Sequence, residues 1–175
     1  MCVRKKIDLF DYSLRYVMFD AINQRHFKGE LPRPEISFEN LDEYRYGDAI
    51  AAFCQERYGV PTIILAWNED KISDLETFAV ALAHEMIHYY NYLHKTKDVD
   101  IHGYIQFHNE AFRNAAKVAE LLDADFISSY CDENGNLLDD NDWHLWGQGY
   151  HDCIAIPDID YSIYDNNSLI SLSDG

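Results

Sequence analysis

The chain has 175 residues, 47% hydrophobic and 14% aromatic, and its 31 acids against 14 bases give a net charge of −17. That length and apolar content fit one folded domain with its own core and exclude a disordered chain. No run approaches the roughly 18 apolar residues of a membrane span, and the scattered Cys2, Cys54, Cys131 and Cys153 form no CxxC pair, which excludes a cysteine-based zinc ribbon.

Charge is unevenly placed. Every Lys and Arg lies at or before Lys117, whereas residues 118–175 hold 13 Asp and Glu with no Lys or Arg. A nucleic-acid binder normally presents a basic patch, so direct binding of nucleic acid is not expected. Near the N-terminus Asp8 and Asp11 interrupt what would be the apolar core of a signal peptide after Arg4, Lys5 and Lys6. The expected location is the cytoplasm, and the thiols are expected to be reduced.

In chain order, residues 8–27 read as an amphipathic helix, with Leu9, Phe10, Leu14, Val17, Met18, Ala21 and Ile22 at helical spacing. Gly29 and Pro32 end it. Residues 35–39 alternate polar and apolar as a half-buried strand does, and residues 49–57 read as a second strand. After a turn at residues 58–61, the β-prone run 62–67 makes a third strand, with an edge open to β-pairing by an extended peptide. Ser73-Asp74-Leu75-Glu76 reads as a capping box that starts a long apolar helix. A further helix opens at His108 and runs through Phe112, Ala115, Val118, Ala119 and Leu122. The order of elements predicts an α+β fold. Beyond it, Asp132-Glu133-Asn134-Gly135-Asn136 reads as a hairpin turn, because Gly135 stands at the wrong offset for a calcium loop. Trp143, Trp146, Tyr150, Tyr161 and Tyr164 imply that part of the acidic tail packs on the domain.

The chemistry converges on His84-Glu85-Met86-Ile87-His88. Four residues apart on a helix, the two imidazoles lie on one face and can share a metal ion. Glu85 stands beside them as the general base of a zinc hydrolase. Two His and a Glu buried on an apolar helix would be costly without a cation to pair with them.

With these residues placed, roughly residues 14–122 resemble the SprT-like family of zinc metalloproteases. The likeness rests on Asn23…His26-Phe27…Leu31-Pro32, Ile36, Gly47, Ile63-Ile64-Leu65, the HExxH run and His108…Phe112. It implies a zincin-like core over residues 1–122: an N-terminal helix, a small three-stranded sheet, the HExxH helix and a second metal-site helix. Residues 123–175 then form an acidic C-terminal extension packed on that core. The resemblance further implies Zn2+ as cofactor, His84, His88 and His108 as its ligands, Glu85 as the catalytic residue and a protein as substrate. His102, which precedes Gly103, and Glu110 compete with His108 for the third position. The chain departs from the family pattern at Asn109, where relatives have Gly, and in a longer interval between His88 and His108. It also lacks the C-terminal zinc ribbon of many relatives. The expected activity is zinc-dependent hydrolysis of peptide bonds. The rival reading is a non-catalytic metal-containing protein that binds a partner through its acidic third, as a nucleic-acid mimic would.

Overall fold

In the computed structural model, which describes residues 12–41, 50–66, 71–72, 74–96, 110–124, 132–133, 153–162 and 164, the first element is helix α1 (Tyr12–His26). Its buried stripe runs through Arg15, Met18, Phe19, Ile22, Asn23 and His26, while Val17 is 48% exposed. The core-facing side is therefore rotated from the one the apolar spacing predicts. Polar side chains occupy inward positions because each meets a partner there. Arg15 donates through Nη1 to the Ile36 carbonyl and lies over the Tyr16 and Phe38 rings. The Asn23 amide donates to the Leu31 carbonyl (2.9 Å) and accepts from the Leu31 N–H (3.1 Å), which folds the chain back after the helix. Lys28 (φ 56°) and Gly29 (φ 71°) make that reversal in the left-handed region, where glycine carries no steric penalty.

The sheet contains β1 (Glu35–Glu39), β2 (Ala51–Arg57) and β3 (Val60–Ala66) in the order β1-β3-β2. β1 runs parallel to β3, pairing Ile36 with Ile63, and β2 runs antiparallel, pairing Phe53 with Ile63. Tyr58 (φ 53°) and Gly59 (φ 79°) form the β2–β3 turn, and two positive φ values suit the twist of a two-residue hairpin. Val60 and Pro61 already belong to β3. Cys54 pairs with Thr62 and Arg57 with Val60, so Gln55 and Glu56 both stand opposite Pro61. This bulge falls where proline has no N–H to give the ladder.

The sheet order overturns one expectation. β3 carries the peptide-binding edge in the sequence reading, but it is the central strand and has none to offer. Its continuous apolar run is the reason: residues 62–66 are all buried, and burial on both sides belongs to an interior strand.

Helix α2 (Leu75–Leu93) follows. Its N-cap is Asp74, whose Oδ1 accepts from the Thr77 N–H at 2.7 Å, so the cap stands one residue later than the predicted Ser73. Between Phe78 and Ile87 every residue except Val80 is buried, as the apolar run on all faces predicts. α2 meets β2 and β3 on one side and helix α3 (Glu110–Val118) on another. α3 buries Phe112, Ala115 and Ala116 and leaves Val118 75% exposed.

Residues 153–164 return to this body. Leu122 and Ile154 form an antiparallel bridge, flanked by Asp123 N–H to Cys153 carbonyl (2.8 Å) and Ala155 N–H to Leu121 carbonyl (2.7 Å). Cys153, Ile154 and Tyr164 join the main core cluster, and Ile159 and Tyr161 pack against it. Tyr161 reaches the first turn of α2, where burial and then the nearby Glu76 push its phenol up to about 12. Trp143, Trp146, Tyr150 and most of the predicted hairpin around residue 134 lie outside the described residues. The described residues are thus α+β, with three helices and a small mixed sheet, and no described helix is long and apolar enough to cross a membrane.

Candidate metal centre

α2 delivers His84 and His88 side by side, with ring centroids 5.2 Å apart and planes at 61°. α3 crosses above them and inserts Phe112, which is 0% exposed. Its ring centroid lies 4.8 Å from that of His84 and 4.7 Å from that of His88. Three rings from two helices therefore limit each other's rotation, and the imidazoles are oriented before any ligand arrives. Phe112 holds this place because α3 presents Phe112, Ala115 and Ala116 along one helical stripe. The small alanines let the two helices approach.

Glu85 is one residue round from His84 and only 5% exposed. Burial raises its carboxyl to about 8, and no opposing charge among the described residues acts on it. Burial likewise lowers His88 to about 4, which keeps its imidazole neutral at physiological pH. Neutral imidazole is the form that binds a metal, and a buried carboxyl without a counter-charge is the costly arrangement that a cation relieves. The donor chemistry fits zinc.

Among the described residues no group of three or more His, Cys, Asp or Glu converges as a metal set. His108 and His102 lie outside them, and of Glu110 only the helical backbone is described. Glu110 opens α3 two residues before Phe112, so the start of this helix approaches the His pair.

On the adjoining face of α2, Tyr89 and Tyr92 continue the line from Glu85 toward the sheet. The Phe53 ring of β2 packs on both, with centroids 5.7 Å and 5.8 Å away. β2 is thereby fixed beside the Glu85 face. The two sheet edges differ. At β1, the Ile36 N–H donates to the Tyr16 hydroxyl (3.3 Å), and its carbonyl accepts from Arg15, so α1 plugs that edge. At β2, the Ile50 carbonyl accepts from the Ala66 N–H (2.8 Å). Alternation in an antiparallel pair then turns Ala51 and Phe53 backbone groups outward, where no described residue bonds them.

Sequence reasoning missed this edge, together with Asn91. Asn91 is 2% exposed, on the His stripe three residues past His88. A lone amide on an apolar helix, at the spacing that continues the His pair, is the signal that could have found it. Compared with family models, curated proteins and solved structures, the chain matches none.

Proposed function

We propose that this chain is a zinc-dependent endopeptidase with a zincin-like core of the SprT-like type, acting on protein substrates. The observation that carries the reading is the grouping of two adjacent imidazoles, that of His88 held neutral by burial, with a buried carboxyl that meets no opposing charge among the described residues, where α2 meets α3. His84 and His88 would hold the ion, with His108 as third ligand. Zinc bound there supplies an activated water near neutral pH and polarises the carbonyl to be cleaved.

Glu85 would take a proton from the attacking water and pass it to the departing amine. A carboxyl held in a nearly dry site is suited to both, because its proton affinity can be brought near neutrality by the charge beside it. Phe112 keeps the imidazoles aligned and covers them from solvent. An extended peptide would add to the outward backbone groups of Ala51 and Phe53, on the edge of β2 that no described residue covers. A metal-holding partner protein would have no use for Glu85, which favours the enzyme over the binding-protein reading. On this reading residues 1–122 hold the catalytic machinery and residues 123–175 form an extension packed on it.

The test compares wild type with Glu85→Gln on an unfolded generic protein such as casein. Wild type should cleave it, lose activity with a chelator and regain it with zinc. Glu85→Gln should carry as much zinc and stay folded, yet cleave nothing. Equal cleavage by the two proteins would refute the assignment.

A further inference from the structure

Asn91 is an expense the fold has no visible use for. Its side-chain Nδ2 is buried and has no hydrogen-bond partner among the described residues. An unmet buried donor weakens a protein, so such a group calls for a reason. Its neighbours supply none. The end of α2 is closed by backbone bonds, His94 N–H to Tyr90 carbonyl (3.0 Å) and Thr96 N–H to Asn91 carbonyl (2.9 Å). Tyr90 stacks on His94 at 4.0 Å and meets Phe27 at 5.8 Å, while Tyr92 packs on Phe53. None of these contacts needs the carboxamide.

Position supplies the reason. Residues 84, 88 and 91 are spaced four and then three apart, which keeps them on one stripe of the helix. The Cα–Cβ bond of a helical residue tilts toward the N-terminus, so the Asn91 side chain sets out toward the turn that carries His88. A donor with no partner among the described residues, on the stripe that carries both imidazoles, suits an oxygen that arrives with a ligand. We propose that Asn91 is a substrate-binding residue, its Nδ2 donating a hydrogen bond to a main-chain carbonyl of a peptide lying across the His84–His88 face. This rests on the endopeptidase reading and adds to it a contact beyond the metal and the β2 edge. The free protein carries the unmet donor, and the bound peptide satisfies it.

The experiment replaces Asn91 by Leu, of similar volume and without polar atoms, and by Ala in case Leu fits poorly. Three quantities are read: the melting temperature of metal-free protein, the zinc content, and the Kd of an acetylated tripeptide hydroxamate on zinc-loaded protein. The expected result for Asn91→Leu is a melting temperature equal to or above that of wild type, unchanged zinc content and a Kd weakened about tenfold, the worth of one hydrogen bond. Asn91→Ala should show the same weakening at full zinc content. A Kd unchanged in both variants overturns the proposal. So does a melting temperature several degrees lower in both with the Kd intact, since the amide would then serve the fold. Wild type that takes up no zinc overturns the endopeptidase reading and this proposal with it, an outcome distinct from loss of the Asn91 contact alone.

Discussion

The imidazole of His26 receives the backbone N–H of Asp158 on Nε2 at 3.0 Å, across 132 positions of sequence. Its other nitrogen, Nδ1, donates to the Ala119 carbonyl at 2.7 Å. One neutral tautomer meets both needs, and the ring ties α1, the end of α3 and the returning C-terminal segment together. Arg25 adds exposed ion pairs with Glu120 and Asp158 around the same point. These are screened by solvent and contribute little on their own.

Acid should open this junction. A protonated His26 would turn a second N–H against the Asp158 amide, and burial lowers its pKa below 6.5, outweighing the Ala119 carbonyl and the Asp158 and Glu120 charges; Arg25 lowers it further. With the folded pKa lowered, the associated stability is present above about 6.5 and is lost as pH falls through that value toward the folded pKa. Melting temperatures measured from pH 8 to 5.5 should fall on acidification. His26→Gln should melt lower than wild type at pH 8 and show a flatter profile. A wild-type profile as flat as the variant's would remove the junction from the pH response.

Glu85 predicts the opposite slope in metal-free protein. Its carboxyl is raised from 4.5 to about 8, so the stability it contributes is present below 4.5 and lost as pH rises through 8. Chelator-treated Glu85→Gln should therefore melt above wild type at pH 8 to 9 and converge with it toward pH 5. Zinc should shrink or reverse the gap, because the ion favours the ionised carboxylate.

His84→Ala or His88→Ala should abolish stoichiometric zinc binding, read by elemental analysis. His108→Ala should weaken it far more than His102→Ala or Glu110→Ala. Phe112→Ala should cost about 3–5 kcal/mol of stability, the usual range for emptying a buried phenyl site. It should also loosen zinc, because both imidazoles lose the ring that orients them.

Ala51→Pro tests the β2 edge. Proline is tolerated where an edge N–H faces outward, and the ladder to β3 runs through residues 50, 52 and 54. The variant should stay folded with zinc bound and lose about tenfold in kcat/KM on an unfolded protein, for one main-chain bond. Undiminished kcat/KM would move the peptide away from β2.

Local patterns in the sequence are read well where neighbours along the chain decide the outcome. The strand at residues 35–39 follows from its alternation, and α2 from its apolar run and an acidic cap. The order of strands was not legible, because β1 and β2 both pair with β3 through contacts that no local pattern encodes. The inward face of α1 was misread for a related reason. Arg15, Asn23 and His26 are polar in sequence, and only their distant partners Ile36, Leu31 and Ala119 make burial affordable. At the candidate site, the grouping of His84, Glu85 and His88 was legible because one helix turn brings them together. Phe112 came with the family motif, while Asn91 was visible only as a buried donor left unmet.

The bridge between Leu122 and Ile154 has a consequence for biosynthesis. A ribosome releases the chain from its N-terminus, so α1, the sheet, α2 and α3 emerge before the segment that covers their shared end. Until residues 153–164 are out, the partners of Cys153, Ile154 and Tyr164 in the core stay uncovered, and His26 lacks its second bond. Closing so long a loop adds only slowly to the entropic cost, since that cost grows with the logarithm of length. It does, however, make the last native contacts distant ones, which form late and slowly. A nascent chain stalled near residue 150 should remain sensitive to protease and bound by chaperones, whereas one released past residue 164 should become resistant.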